Sequence, residues 1–176
     1  IWRNDITGTL LLDALLRAAE RGVRVRLLLD DNGIAGLDQT LSTLDRHPNI
    51  EVRLFNPFSL RKAKVLGYLT HFPRANRRMH NKSFTVDNQA TIIGGRNIGD
   101  EYFEASEGVL FADLDVLAIG PVVADTSADF DRYWASDSSY PLELIVPRRR
   151  NTPLRLHDLA ADLSDSPAAS GYVKAL

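Results

Sequence analysis

Apolar positions in the first third of the chain recur with the spacing of a helix, then with that of a strand, and this order repeats. Residues 5–21 predict an amphipathic helix, and residues 23–29 predict a strand in which Val and Leu alternate with Arg. Residues 36–46 and 50–55 predict the next helix and strand. Alternating helices and strands imply right-handed crossovers. We therefore predict an α/β fold with a mainly parallel or mixed β-sheet flanked by helices.

The first predicted helix indicates which of its sides should face the core. Its apolar stripe at helical spacing consists of Leu11, Leu15 and Ala18. Asp13 and Arg17 stand four residues apart, so we expect an ion pair between them on the exposed side.

Two carboxylates close the strand that follows this helix. Asp30 and Asp31 could face a pocket at the edge of the sheet. Because Asn32 and Gly33 follow them, we expect instead that they shape a turn and cap the next helix.

A hairpin is predicted in the middle of the chain, after a stretch without a clear period. Residues 79–86 and 90–94 predict two strands, and Asp87-Asn88 between them suits a chain reversal. A further strand is expected over residues 114–119, and a helix is expected to begin at Pro121.

Length and composition indicate one globular domain. The chain has 176 residues, of which 44% are hydrophobic and 25% are charged, which allows a single core. It contains no cysteine, so we expect neither a disulfide framework nor a thiolate metal site. We expect residues 1–138 to form the domain and residues 139–176, rich in Ala, Ser, Asp and Pro, to form a linker or tail.

The charges are segregated along the chain, although the net charge is only −2. Residues 52–86 contain basic side chains and no acidic one, whereas residues 97–131 contain acidic side chains and no basic one. A basic stretch leading to a phosphate site focuses an anionic substrate. It does not distinguish a lipid headgroup from nucleic acid.

The residues with the clearest chemistry lie in the first strand of the predicted hairpin. His80 and Lys82 stand two apart, so their side chains share one face of the strand. An imidazole can attack phosphorus or transfer a proton near neutral pH. An ammonium can hold the non-bridging oxygens of a phosphate and neutralise charge in the transition state. The pair therefore predicts a phosphodiester site.

The rest of the motif comprises Asp87, Gly94, Gly95 and Asn97. The two glycines let the backbone pass close to a ligand or adopt a positive φ. Asn97 is expected to return beside His80 with an amide donor and acceptor. Asp87 has the opposite parity and lies at the turn, so we expect it to orient the loop by hydrogen bonding rather than to touch the substrate.

This constellation, His-x-Lys-x4-Asp followed by Gly-Gly-x-Asn, resembles the signature of the phospholipase D superfamily. The runs Ile1–Asp5, Leu27–Asp31 and Met79–Phe103 resemble the amino-terminal half of bacterial cardiolipin synthases of the C type. The resemblance covers residues 1–136, and it implies a first strand that would precede Ile1 and is missing here.

The resemblance implies a phosphatidyl transferase that acts on phospholipid phosphodiester bonds through a phosphohistidine intermediate. In the family, two motif copies meet: one histidine attacks, the other is the acid and base, and no metal or other cofactor is required. This chain holds one copy, because no lysine stands two positions after its other histidines, His47, His71 and His157. The catalytic residues implied are His80 as nucleophile, with Lys82, Asp87 and Asn97. The phosphate would be bound by His80, Lys82 and Asn97.

The implied partners are a phospholipid of the phosphatidylglycerol or phosphatidylethanolamine class and a second motif-bearing half, in the same protein or in a homodimer. Peripheral contact with a bacterial membrane is also implied, without indicating which side. Residues 56–78 mix basic with aliphatic and aromatic side chains, which suits a lipid interface or a loop with its own small core. Two alternatives stay open. One is a metal-independent phosphodiesterase or nuclease, completed by homodimerisation and binding nucleic acid. The other is an inactive domain that binds anions or membranes.

Overall fold

The structure is a computed structural model that describes residues 1–58, 61, 77–105, 110–147 and 155–165. In chain order its elements are α1 (Ile6–Glu20), β1 (Val25–Asp30), α2 (Asp38–Leu44), β2 (Ile50–Phe55), β3 (Ser83–Val86), β4 (Ala90–Gly94), β5 (Asp115–Ile119), α3 (Pro121–Trp134), β6 (Ser139–Pro141), α4 (Leu142–Ile145) and α5 (Leu156–Ser164). Single 3-10 turns span Asp31–Gly33 and Asp100–Tyr102. Most of the basic loop predicted over residues 56–78, and much of the predicted tail, lie outside the described residues.

The strands form two sheets of three strands each, in the orders β1-β2-β6 and β3-β4-β5. In the first sheet β1 runs parallel to β2, with Val25 opposite Ile50 and Asp30 opposite Phe55, while β6 is antiparallel to β2. The second sheet is antiparallel throughout. The predicted α/β fold with a mixed sheet and flanking helices is confirmed. Among the described strands, parallel pairing is confined to β1 and β2.

The core lies between the first sheet and its helices, and α1 turns a different face to it than predicted. Leu12 and Ala19 are fully buried, whereas Leu11 and Leu15 are only partly buried. Because leucines occupy neighbouring rows of this helix, its periodicity did not identify the row at the centre of the contact. Asp5 caps the amino terminus of this helix, because its carboxylate accepts the Gly8 N–H at 2.9 Å.

Helix α5 packs against α1 through a histidine held between two carboxylates. His157 Nδ1 contacts Asp13, and its Nε2 lies 3.1 Å from Glu20. Asp13 also forms the predicted ion pair with Arg17, at 2.7 Å. However, its side chain is only 8% exposed, because α5 covers it, so the predicted position on the wet side is wrong. Hydrogen bonds to Glu20 and Asp13 raise the pKa of His157.

The β3–β4 hairpin reverses at Asp87 and Asn88, as predicted. Their φ angles of 51° and 53° both lie in the left-handed region, as a type I′ turn requires. Asn and Asp tolerate that region better than most residues. The Gln89 N–H closes the turn by donating to the Val86 carbonyl at 2.9 Å.

Of the helices described, none combines the length and the apolar run needed to cross a bilayer.

Candidate active site

His80 and Lys82 meet just before β3, which begins at Ser83 and not at Met79 as the sequence predicted. The Lys82 ammonium lies 3.1 Å from His80 Nδ1 and donates to the His80 carbonyl at 2.8 Å. An ammonium has three donors and no acceptor, so when charged it requires Nδ1 to be the acceptor. Within the described residues no acceptor is hydrogen-bonded to the third N–H of Lys82, which leaves a donor for an anion. The structure therefore brings these two residues together as the sequence predicted.

The pair faces away from the helix that covers the second sheet. Asn81, between the two residues, turns the other way and donates to Asp129 of α3 at 3.4 Å. Thr91 of β4 is 1% exposed, whereas His80 is exposed and Lys82 is half-buried. Because successive side chains of a strand alternate, α3 covers one face and the pair occupies the open one.

The same open face carries apolar side chains. Phe84, Ile92 and Leu117 are direct neighbours across β3, β4 and β5. They are 46%, 42% and 70% exposed. Directly opposed residues share a face, and Phe84 has the parity of Lys82. A cationic and nucleophilic pair therefore borders an exposed apolar surface.

Burial lowers the pKa of Lys82, and the carboxylate of Asp113 opposes that shift. Asp113 stands in the strand connection before β5, where its Oδ1 accepts the Leu114 N–H at 2.9 Å. A partly desolvated ammonium interacts more strongly with a phosphate than a fully hydrated one does.

Asn97, the last residue of the motif, is not hydrogen-bonded to His80 or Lys82. Its amide donates to the Tyr102 hydroxyl at 2.7 Å, and its oxygen faces the Ile1 nitrogen at 3.4 Å. Among the described residues, no hydrogen bond joins Asn97 to His80 or Lys82. Its role in phosphate binding stays a prediction.

Gly94 and Gly95 are needed for space and not for conformation. Neither glycine has a positive φ, so the expectation that they adopt the left-handed region is wrong for both. A Cβ on Gly94 would stand 1.8 Å from Asp115 Oδ1, and one on Gly95 would stand 2.2 Å from Asp113 Oδ1. In this structure the carboxylates of Asp115 and Asp113 approach the backbone of the two glycines closely.

Asp87 occupies the turn, as its parity predicted. It is exposed at the far end of β3 from His80. The turn neighbour Asn88 accepts from Ser127 of α3 at 2.8 Å, which fastens the hairpin to the helix. The catalytic role that the resemblance implies for Asp87 stays a prediction.

Sequence reasoning missed the residues that hold the peptide before His80. Asp30 accepts the Met79 N–H at 2.9 Å, besides the Asn32 N–H at 2.8 Å that marks the predicted turn. Asn56 donates to the Arg77 carbonyl at 2.7 Å. A polar residue at the carboxyl end of each of two neighbouring strands is the signal that could have indicated them.

No cluster of His, Cys, Asp and Glu within the described ranges has the composition to hold a metal ion. The site consists of one imidazole, one ammonium and the acidic groups that follow β4. Such a set can bind and attack a phosphate ester, but a second proton-transfer group is needed to protonate the leaving oxygen.

Comparison with known proteins agrees with this chemistry. A family model described as "Cardiolipin synthase, PLD-like domain" matches residues 4–134. Cardiolipin synthase C of Escherichia coli (strain K12) is 64% identical over 146 residues, which cover 83% of this chain and 31% of that protein. An uncharacterized protein of Helicobacter pylori is 45% identical over 153 residues, or 85% of this chain and 30% of that protein. Cardiolipin synthase A of Pseudomonas putida is 34% identical over 147 residues, or 82% of this chain and 29% of that protein.

The chain thus spans about a third of the length of these curated relatives. The resemblance inferred from the motif is confirmed, since the family model covers most of the chain and includes His80, Lys82 and Asn97. The chain belongs to the family of cardiolipin synthase, phospholipase D-like domains.

Proposed function

We propose that this chain supplies one half of the active site of a phosphatidyl transferase of the cardiolipin synthase type. The observation that carries the proposal is the contact of 3.1 Å between His80 Nδ1 and Lys82 Nζ on an open sheet face. An imidazole and an ammonium held together in this way suit attack on a phosphodiester. Relatives named cardiolipin synthase favour this reaction over cleavage of nucleic acid.

The apolar surface beside the pair supports a phospholipid as the substrate. Phe84, Ile92 and Leu117 expose aliphatic and aromatic groups on the face that carries Lys82. A phospholipid presents a phosphate next to apolar chains, so a cation bordering an apolar face matches both parts. The donor class is phosphatidylglycerol or phosphatidylethanolamine, reached by peripheral contact with a bacterial membrane.

The contact between Lys82 and His80 implies an order of events. While the charged ammonium donates to Nδ1, a neutral ring carries its proton on Nε2 and cannot attack through that nitrogen. Phosphate oxygens draw the ammonium away, and a proton then exchanges from Nε2 to Nδ1 through solvent. The Nε2 lone pair forms the bond to phosphorus, and the P–O bond to the headgroup breaks. The leaving alkoxide takes its proton from the histidine of a second motif copy.

The second copy completes the site. It lies elsewhere in a longer protein or in a homodimer partner. In this proposal residues 1–138 form the motif-bearing domain. Residues 139–176, whose described parts fold back through β6 and α5, connect it to the second half. Alone, the chain should therefore show little turnover, because general acid–base help is worth about 10²–10⁴-fold.

A chimera tests the proposal directly. The 146 matched residues of this chain replace their counterparts in Escherichia coli cardiolipin synthase C, where the identity is 64%. Cardiolipin formed from defined phospholipid vesicles is measured by mass spectrometry. We expect the chimera to be active, and we expect His80→Ala to lower its rate by about 10²-fold or more.

His47→Ala is the matched control, because it removes a histidine that lies outside the site and within the exchanged segment. It should keep the rate of the unmodified chimera within a few-fold. A His80→Ala chimera that forms cardiolipin at the unmodified rate would refute the role given to His80. Metal-independent cleavage of DNA by the chain alone would favour the nuclease instead.

A further inference from the structure

We propose that Asp30 and Asn56 are positioning residues that hold the peptide before His80 and thereby set the geometry of the His80–Lys82 pair. The two side chains together are called the strand-end clamp below. The inference rests on the proposed function, in that His80 and Lys82 are taken to bind phosphate. Neither clamp residue contacts the pair directly in the described hydrogen bonds, so the clamp acts through the backbone.

Asp30 contributes the first part of the clamp. Its Oδ2 accepts the Met79 N–H at 2.9 Å, one residue before His80. Its Oδ1 accepts from Arg78 Nη1 at 3.1 Å and from the Asn32 N–H at 2.8 Å. The side chain of Asp30 is 8% exposed, so these bonds form where water competes weakly.

Asn56 contributes the second part. Its amide donates to the Arg77 carbonyl at 2.7 Å, and its own carbonyl accepts from Arg78 Nη1 at 3.1 Å. The Arg78 guanidinium also lies 4.1 Å from the centre of the Phe58 ring. Three consecutive residues before His80 are therefore tied to the clamp, by a carbonyl, a side chain and an N–H.

The topology explains why the clamp can set a position. Asp30 ends β1, Asn56 follows β2, and the two strands run parallel with Asp30 opposite Phe55. Both side chains therefore stand at the same edge of a buried sheet. Because His80 follows the tied residues directly, the site takes its position from this rigid edge and not from the long connection between β2 and β3. Losing one bond should let His80 and Lys82 move apart, and misplacement by about 1 Å can cost about 10²-fold in rate.

Asp30→Asn tests the clamp, with Asp31→Asn as the matched control. The two carboxylates are neighbours, both are buried, and each binds an arginine and at least one backbone N–H. Asp31 instead accepts from the Phe58 N–H and from Arg61, two residues that are not adjacent to His80. Arg78 and the Asn32 N–H donate to Oδ1 of Asp30, and the Met79 N–H donates to Oδ2. In Asp30→Asn one of these two positions becomes an NH₂ group that cannot accept, so at least one of the bonds is lost.

The readout is NMR of the chain with labelled histidine, in which His80→Gln assigns the ring signals. The ¹⁵N shift of Nδ1 reports the bond to Lys82, and titration with inorganic phosphate reports anion binding at the pair. We expect Asp30→Asn to shift the Nδ1 signal, to accelerate hydrogen exchange at Met79 and to weaken phosphate binding about tenfold. Asp31→Asn should leave all three unchanged within a factor of about two.

Equal responses from the two variants would overturn the clamp, because they would indicate a general structural effect. A folded Asp30→Asn variant that exchanges faster at Met79 but keeps the Nδ1 signal would overturn it as well. If Asp30→Asn does not fold by circular dichroism, Asn56→Asp, which replaces the donor to Arg77 by an acceptor, is held to the same criteria. Absence of phosphate binding in the unmodified chain would count against the proposed function. The Nδ1 signal would still test whether the clamp sets the contact between His80 and Lys82.

Discussion

Replacing Gly94 by alanine should destabilise the hairpin because two acceptor oxygens already occupy the space of the new methyl group. The added Cβ would lie 1.8 Å from Asp115 Oδ1 and 2.7 Å from the Leu114 carbonyl oxygen. Asp115 is opposite Gly94 in the β4–β5 ladder and pairs with Arg96 Nε at 2.7 Å. To make room, its carboxylate must turn away and lose that ion pair.

The magnitude follows from these two consequences. Forcing extra atoms into a packed position costs about 1–3 kcal/mol. A partly exposed ion pair such as Arg96–Asp115 contributes about 0.2–1 kcal/mol. Gly94→Ala should therefore lower the free energy of unfolding by about 1–4 kcal/mol. Urea unfolding, followed by tryptophan fluorescence and circular dichroism, measures it.

A double-mutant cycle with Asp115→Ala identifies the cause. If the carboxylate is the obstacle, Gly94→Ala should cost at least about 1 kcal/mol less in the Asp115→Ala background. Additivity within about 0.5 kcal/mol would refute the steric explanation. It would restore the view that this glycine is reserved for the close approach of a ligand.

Three further predictions concern packing and ion pairs away from the His80–Lys82 pair. His157→Gln should remove a pH dependence of the free energy of unfolding. Because folding raises the pKa of His157, the contribution of this histidine to stability is fully present below about pH 6.5. That contribution is lost as the pH rises through the raised pKa. Urea unfolding from pH 6 to 9 should show this decline only in the unmodified chain. Leu12→Ala should cost about 2–5 kcal/mol because Leu12 is 0% exposed, whereas Leu159→Ala, at 48% exposure, should cost far less in the same assay. Arg61→Ala should lower the free energy of unfolding by about 3 kcal/mol or more, because it removes a guanidinium 2.7 Å from the fully buried Asp31. Thermal or urea unfolding measures the change. A decrease below about 1 kcal/mol would show that Arg61 contributes little to the stability of this buried carboxylate.

Local periodicity was enough to place most of the elements and the central pair. The alternation of a strand put His80 and Lys82 on one face without any knowledge of the fold, because the period of two is a property of the backbone. The turn at Asp87 and Asn88 was equally local, since it depends on which residues tolerate a positive φ. The motif also identified the family, because its spacing links chemistry to a short stretch of chain.

Contacts between distant parts of the chain were outside the reach of such patterns. Asp13 looked exposed until α5, 144 residues further on, was seen to cover it. Asp30 looked like a turn residue, yet its carboxylate holds a peptide 49 residues away. The reason for Gly94 and Gly95 was likewise supplied by Asp115 and Asp113, which come from the next segment of the sheet.

The difference between what local patterns predicted and what only the folded structure showed has a physical origin. A repeat of polar and apolar residues reports the conformation of one segment, because side-chain direction follows directly from φ and ψ. Which segment covers another depends on the packing of the whole domain, where many weak contacts act together. The linear chain thus revealed which groups perform the chemistry, and folding in three dimensions established what holds those groups in place.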